Sequence, residues 1–217
     1  SVKGGQTLKL TGLLLLLPLV LCGCAREVSP VSALALDRTD GVYRLTAEVV
    51  RQDSLDDAAA PAYLSVTGED LPSLLQNLSN VLPGELYLSH AQVLLISEAV
   101  ADESILPLAD YLCTENDVRL SLRVAVVRDG TATELLQADD EVYALSELLD
   151  RAAQQGTLPD MPLYRAAEVL HTDGSAILPA LRLDEFGQTA PAGTAVFANE
   201  RLSCFLDGDE IGGDTHA

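Results

Sequence analysis

Glu85-Leu86-Tyr87-Leu88-Ser89-His90-Ala91-Gln92-Val93-Leu94-Leu95-Ile96-Ser97 is the stretch on which the fold turns. Its runs Leu86-Tyr87-Leu88 and Val93-Leu94-Leu95-Ile96 do not alternate with polar residues. A strand built from them is apolar on both faces and suits a position covered on both. The spacing predicts one strand over Glu85–Ser97, with His90 inside it as a hydrogen-bonded structural histidine.

Upstream, Val31–Leu36 and Val42–Val50 are predicted strands joined across the turn Asp37-Arg38-Thr39-Asp40-Gly41. In the second, Tyr43, Leu45, Ala47 and Val49 share one face and Arg44, Thr46 and Glu48 the other, the pattern of a half-buried strand. Gln52–Pro61, acidic and alanine-rich without a period, is expected to be an exposed loop. A short strand at Ala62–Val66 leads to a helix that Asp70 can cap, with Pro72 in its first turn and Leu71, Leu74, Leu75 and Leu78 as a core stripe.

Downstream, the periodicity predicts a helix over Glu103–Cys113 that buries Ile105, Leu106, Ala109 and Leu112. Val118–Val127 then alternates, with Val118, Leu120, Leu122, Val124 and Val126 on one face of a strand. Helices follow at Thr131–Gln137, Val142–Gln155 and Leu163–His171, with Gly156 and Pro159 breaking between the last two. Strands Ala176–Leu183, Thr194–Ala198 and Arg201–Leu206 close the chain, the last pair across a tight Asn199-Glu200 turn. This order implies an α+β fold, a mixed and largely antiparallel sheet with helices packed on it, occupying residues 31–206. Residues 207–217, rich in Gly and Asp, are expected to be a disordered or truncated tail.

Residues 1–23 read as an export signal. Lys3 and Lys9 stand without an acid in a polar start, and the apolar run Leu10–Leu21 is shorter than the roughly 20 residues a membrane-spanning helix needs. The run ends in Leu21-Cys22-Gly23-Cys24, similar to a bacterial lipobox: an aliphatic residue, two small ones, then the cysteine that takes a diacylglycerol thioether before cleavage. Cys24 is therefore the expected lipidation site, with residues 24–30 as a lipidated tether. The 217-residue chain carries 33 acids against 13 bases, net −20, and cleavage would remove two of the bases. Such a body is repelled by nucleic acid and by an anionic membrane surface, so the lipid would have to do the holding. Of four cysteines, Cys113 and Cys204 remain. Export permits a disulfide between them, yet free Cys packs as a small hydrophobe, and the residues favour two buried free thiols.

No nucleophile elbow, dinucleotide or phosphate loop, or metalloprotease motif is present, and the three histidines lack ligand spacing. No catalytic residue, metal ligand or cofactor-binding residue is assigned, and no cofactor is expected. Asp207, Asp209 and Glu210 lack the alternation of a calcium loop and read as a solvated tail. Asp139-Asp140-Glu141 precedes the Val142 helix, where acids favour the helix dipole and capping explains them. A hydrolase using Ser, Asp or Glu would have no motif behind it.

Several stretches, in order, resemble the Ger(x)C family, the lipoprotein C subunits of bacterial spore germinant receptors. They are Leu21–Cys24, Val31-Ser32-Ala33-Leu34-Ala35-Leu36-Asp37, Val66-Thr67-Gly68, and the block from Tyr87 to Ala101 in which His90 opens an apolar strand. Asp110-Tyr111-Leu112, Asn116-Asp117-Val118-Arg119, Gly130-Thr131-Ala132-Thr133-Glu134-Leu135-Leu136 and Gly193-Thr194-Ala195-Val196-Phe197 complete the likeness, which covers residues 21–210 and resembles that family's N-terminal domain. The resemblance implies a non-catalytic subunit held by lipid on the outer face of the cytoplasmic (spore inner) membrane. Its implied partners are integral-membrane A and B type subunits of a nutrient germinant receptor. The residues themselves leave open a solute-binding or cell-envelope lipoprotein unrelated to sporulation.

Overall fold

The computed structural model describes residues 28–52, 59–115, 117–139 and 141–207. Its strands are β1 (Val28–Thr39), β2 (Val42–Gln52), β3 (Ala59–Gly68), β4 (Glu85–Tyr87), β5 (Val93–Ser97), β6 (Arg123–Val127), β7 (Ala176–Leu183), β8 (Thr189–Ala198) and β9 (Arg201–Leu206). The helices are α1 (Leu71–Val81), α2 (Glu98–Ala101), α3 (Leu106–Thr114), α4 (Ala132–Leu136), α5 (Ala144–Gln154) and α6 (Leu163–Asp173). One mixed sheet runs β3-β2-β1-β5-β6-β7-β8-β9, with β4 beside the start of β1. Its centre, β1-β5-β6-β7, is parallel, while the β3-β2-β1 and β7-β8-β9 flanks are antiparallel and hold most of the paired residues. The expected α+β class and mixed sheet are what the structure shows.

Alternation along the central strands sorts the core into two. Leu34, Leu36, Leu94, Ile96, Val124 and Val126 meet the buried faces of α1, α2, α3 and α6, while Ala33, Ala35, Val93, Leu95, Ala125 and Val127 meet α4 and α5. Each fully buried Leu or Ile contributes roughly 1.5–3 kcal/mol relative to exposure, so losing either helical layer would strip one whole face of β5. Among the described residues, no helix is long and apolar enough to cross a membrane.

Several boundaries differ from expectation for identifiable reasons. Glu85–Ser97 is not one strand: β4 pairs with Val28–Pro30 and β5 with Ala33–Leu36. Between those pairings β1 advances from Val28 to Ala33 while its partner advances from Glu85 to Val93. The surplus is absorbed by a 3-10 turn at Leu88–His90, which drops Leu88 into the core and leaves His90 exposed. Val118–Val127 is a strand only from Arg123. Before it, Val118 N–H donates to the Glu115 carbonyl and Leu122 N–H to the Arg119 carbonyl, closing turns. The Leu120 and Leu122 carbonyls then accept from Tyr164 and Leu163 N–H, so this backbone seats the start of α6, and Leu120 is 51% exposed.

A helix begun at Glu103 would place Pro107 in its second turn, without the N–H that bonds the Glu103 carbonyl; α3 begins instead at Leu106, with Pro107 in its first turn. Helix α5 starts at Ala144 rather than Val142, because Tyr143 is left-handed at φ 71°. β2 runs on to Gln52 and β3 starts at Ala59, so part of the expected Gln52–Pro61 loop is strand, and residues 53–58 lie outside the described residues. β1 likewise starts at Val28, inside the stretch read as a tether.

Both two-residue hairpins have positive φ at each central residue, Asp40-Gly41 and Asn199-Glu200, the geometry that matches strand twist. Gly193 is at φ +83°, and a β-carbon there would stand 2.1 Å from the Leu206 carbonyl oxygen of β9. Gly193→Ala is expected to lower unfolding free energy by about 2 kcal/mol or more. Gly130→Ala, with nothing within 4 Å of the added carbon, should change it by less than about 0.5 kcal/mol. Urea titrations followed by circular dichroism compare the two.

Candidate functional site

In open sheets with parallel strands, ligands bind in the crevice beyond the carboxyl ends of those strands. Here that position is filled by the protein itself. Asp37, at the end of the buried run of β1 and only 5% exposed, accepts from Ala132 N–H at 2.7 Å and Thr133 N–H at 2.9 Å. The Thr133 hydroxyl donates to it at 2.6 Å. Thr133 Oγ1 lies 2.9 Å from Thr46 Oγ1, which lies 2.8 Å from Ser65 Oγ, extending the network across β1, β2, β3 and α4. Thr131 and Glu134 close a capping box on the same helix end. The free amides that would hold a phosphate or oxyanion are thereby occupied, and the junction is a structural tie.

A second buried acid lies farther along β2. Glu48 is 4% exposed, against the expectation that Arg44, Thr46 and Glu48 form a solvent face. Thr46 is fully buried as well, because α4 and α5 cover that side. Burial pushes the Glu48 carboxyl above its ordinary range, and hydrogen bonds from Ser32, the Tyr143 backbone N–H and Tyr63 pull the other way. The Ser32 hydroxyl bonds both the Glu48 carbonyl, at 3.1 Å, and its carboxylate. The left-handed Tyr143 is thus where the chain aims an amide at a buried acid. The void beside Glu48 holds about 10 Å³, no more than a water molecule needs. A substrate has no room there.

Open space lies instead between the starts of α1 and α3, in a cleft of about 500 Å³. Its floor is apolar, from Leu36, Leu74, Val100, Ile105 and Leu108. Its polar lining includes Glu69, Asp70, Glu103, Tyr43 and Tyr111. The Tyr43 hydroxyl donates to Glu103 at 2.5 Å, and Arg38 pairs with the other Glu103 oxygen at 2.7 Å while its guanidinium lies 5.4 Å from the Tyr43 ring centroid. Burial and then Glu103 raise the Tyr43 hydroxyl above its usual range. Asp70 caps α1 in a reciprocal box with Ser73, whose hydroxyl and N–H hold the Asp70 carboxyl below the usual range. These groups can bind and orient, but none forms a nucleophile–base pair.

The remaining candidate residues are scattered. Cys24 and His216 lie outside the described residues. Cys113 and Cys204 are free thiols, as favoured, but Cys113 is half-buried and Cys204 exposed, since Cys204 sits on the edge strand β9. The exposed ring of His90 lies against Tyr87, and His171 Nε2 meets Asp110 Oδ1 at 2.7 Å on the surface. Asp139 does not cap α5: its carboxylate accepts from Thr189 at 3.1 Å and its carbonyl from Tyr63 at 2.9 Å, while Asp140 lies outside the described residues. Asp207 is no free tail residue, because Arg128 reaches it at 2.7 Å, while Asp209 and Glu210 lie outside the described residues. Among the described residues, no group of three His, Cys, Asp or Glu could hold a metal ion. Sequence reasoning missed the roles of Asp37 and Glu48. The signal for Asp37 was a carboxylate closing an apolar run, and for Glu48 there was none, because the covering helices come from more than 80 residues away.

A family model described as "Spore germination protein N-terminal domain" matches residues 26–183. No curated protein and no solved structure matches the chain.

Asp37→Ala would strand the donors that meet its carboxylate, and at about 1 kcal/mol per lost bond a destabilisation of about 3 kcal/mol is expected in urea unfolding. For Glu48, the raised folded value means that its contribution is complete below the unfolded value of about 4.3 and is lost as pH rises through the folded one. Glu48→Gln cannot ionise. Its stability relative to the parent should therefore increase from pH 4 to pH 8 in thermal melts, and a constant difference would contradict the assignment.

Proposed function

The chain belongs to the family of spore germination protein N-terminal domains and is a germination protein, and we propose that it acts as the lipid-anchored, non-catalytic subunit of a nutrient germinant receptor. The observation that carries this reading is the junction between the lipobox-like Leu21–Cys24 and the matched segment, which begins at residue 26. Cleavage ahead of Cys24 would leave that segment whole, with a diacylated cysteine one residue removed from its start. Two acyl chains make a stable anchor where one gives only marginal binding, and the acidic body would add no attraction of its own to an anionic surface.

The self-occupied crevice at Asp37 and the small void at Glu48 leave no room for a substrate at those two positions. The expected location is the outer face of the cytoplasmic membrane, which becomes the spore inner membrane. There the integral-membrane A and B type subunits of the receptor are the proposed partners. The subunit's task is then assembly and coupling, with nutrient binding triggering germination through the complex.

Two strains test the proposal. A deletion strain without a substituting paralogue should lose its response to a nutrient while its spores stay viable; normal nutrient germination would refute the receptor role. In a Cys24→Ala strain, mass spectrometry should find no lipid on the protein and fractionation should find it released from the membrane. An unchanged membrane fraction would refute the anchor.

A further inference from the structure

We infer that the cleft between the starts of α1 and α3 is a binding site for a small organic cation, an apolar body carrying a protonated amine. Its volume, about 500 Å³, falls within the range of small-molecule sites, which are mostly apolar with a few convergent polar groups. The floor residues Leu36, Leu74, Val100 and Ile105 supply the apolar surface. The charge on the lining selects the cation. Glu69, Asp70 and Glu103 face it; Arg38 already pairs with Glu103, and Arg201, the one basic residue of the lining, donates from its guanidinium to the Asp102 carbonyl at 3.1 Å, so the acids exceed the bases by one. Hydrogen bonds from Ser73 hold the Asp70 carboxyl below its usual range. An anionic ligand would meet more carboxylates than cations there, and like charges across a contact disfavour it.

The walls are set before any ligand arrives. The capping box fixes Asp70 at the α1 start. The Tyr43 and Arg38 contacts pin Glu103, and Ser104 donates to Glu200 at 2.5 Å, tying the α2–α3 link to the β8–β9 turn. Preformed walls reduce the ordering cost of binding, and every residue involved belongs to the described fold.

Phenethylamine, 2-phenylethanol and phenylacetate share a ring and differ only in the charge of the end group. Titrated into the purified full chain and followed by methyl NMR, phenethylamine should shift the Leu36, Val100 and Ile105 methyls saturably, more tightly than phenylethanol, and phenylacetate should leave them unmoved. The double variant Glu69→Gln/Asp70→Asn should weaken phenethylamine binding by roughly fivefold, about two exposed ion pairs. It should keep the parent's melting temperature, because Asn also caps a helix. Absence of a saturable shift in the parent would overturn the inference, as would equal binding of phenylacetate or undiminished binding by a folded double variant.

Discussion

The two-sided burial of β5 is the constraint on which the molecule depends. Val93, Leu94, Leu95, Ile96 and Ser97 are all buried, so neither face of the strand can meet water and the sheet needs a helical layer on each side. Parallel neighbours β1 and β6 follow, because the connections that supply those layers return the chain to the same end of the sheet. The helices are placed by that demand. Helices α1, α3 and α6 serve one face, and α4 and α5 the other.

Covering the second face has a cost, because β2 brings polar side chains to it. Thr46 and Glu48 end up under α4 and α5, and each finds partners there. A buried polar group without a partner loses its hydration with nothing in return. The network from Asp37 through Thr133, Thr46 and Ser65 is how the fold meets that requirement. The same network has a functional consequence. It consumes the helix amides at the sheet's carboxyl end, where a related architecture would hold a ligand, and leaves the molecule without an oxyanion or phosphate site at that position.

An open cleft lies on the other layer, lined by the starts of α1 and α3, each with a proline in its first turn, and by Leu36. That cleft is polar only at its margin. Membership of the germination family and the cleft's geometry therefore bear on different levels: the first on the process in which the chain acts, the second on what its surface can hold.

By itself the sequence determined the class of fold, because period and turn chemistry are local. The unbroken apolar run at Val93–Ile96, the leucine stripe of α1, the Asp40-Gly41 and Asn199-Glu200 turns and the Thr131–Glu134 cap are all legible in short windows. Tertiary structure alone decided where strands stop and which polar residues are buried. Val118–Leu122 alternates like a strand, but its carbonyls are taken by α6. Glu85–Ser97 reads as one strand, but β1 accepts it only in two registers separated by a turn. Arg44, Thr46 and Glu48 carry the same local pattern, yet only Thr46 and Glu48 lie under helices drawn from the far half of the chain. The physical reason is common to all three. A hydrogen-bond partner or a covering side chain distant in sequence leaves no periodic trace in the segment it acts on.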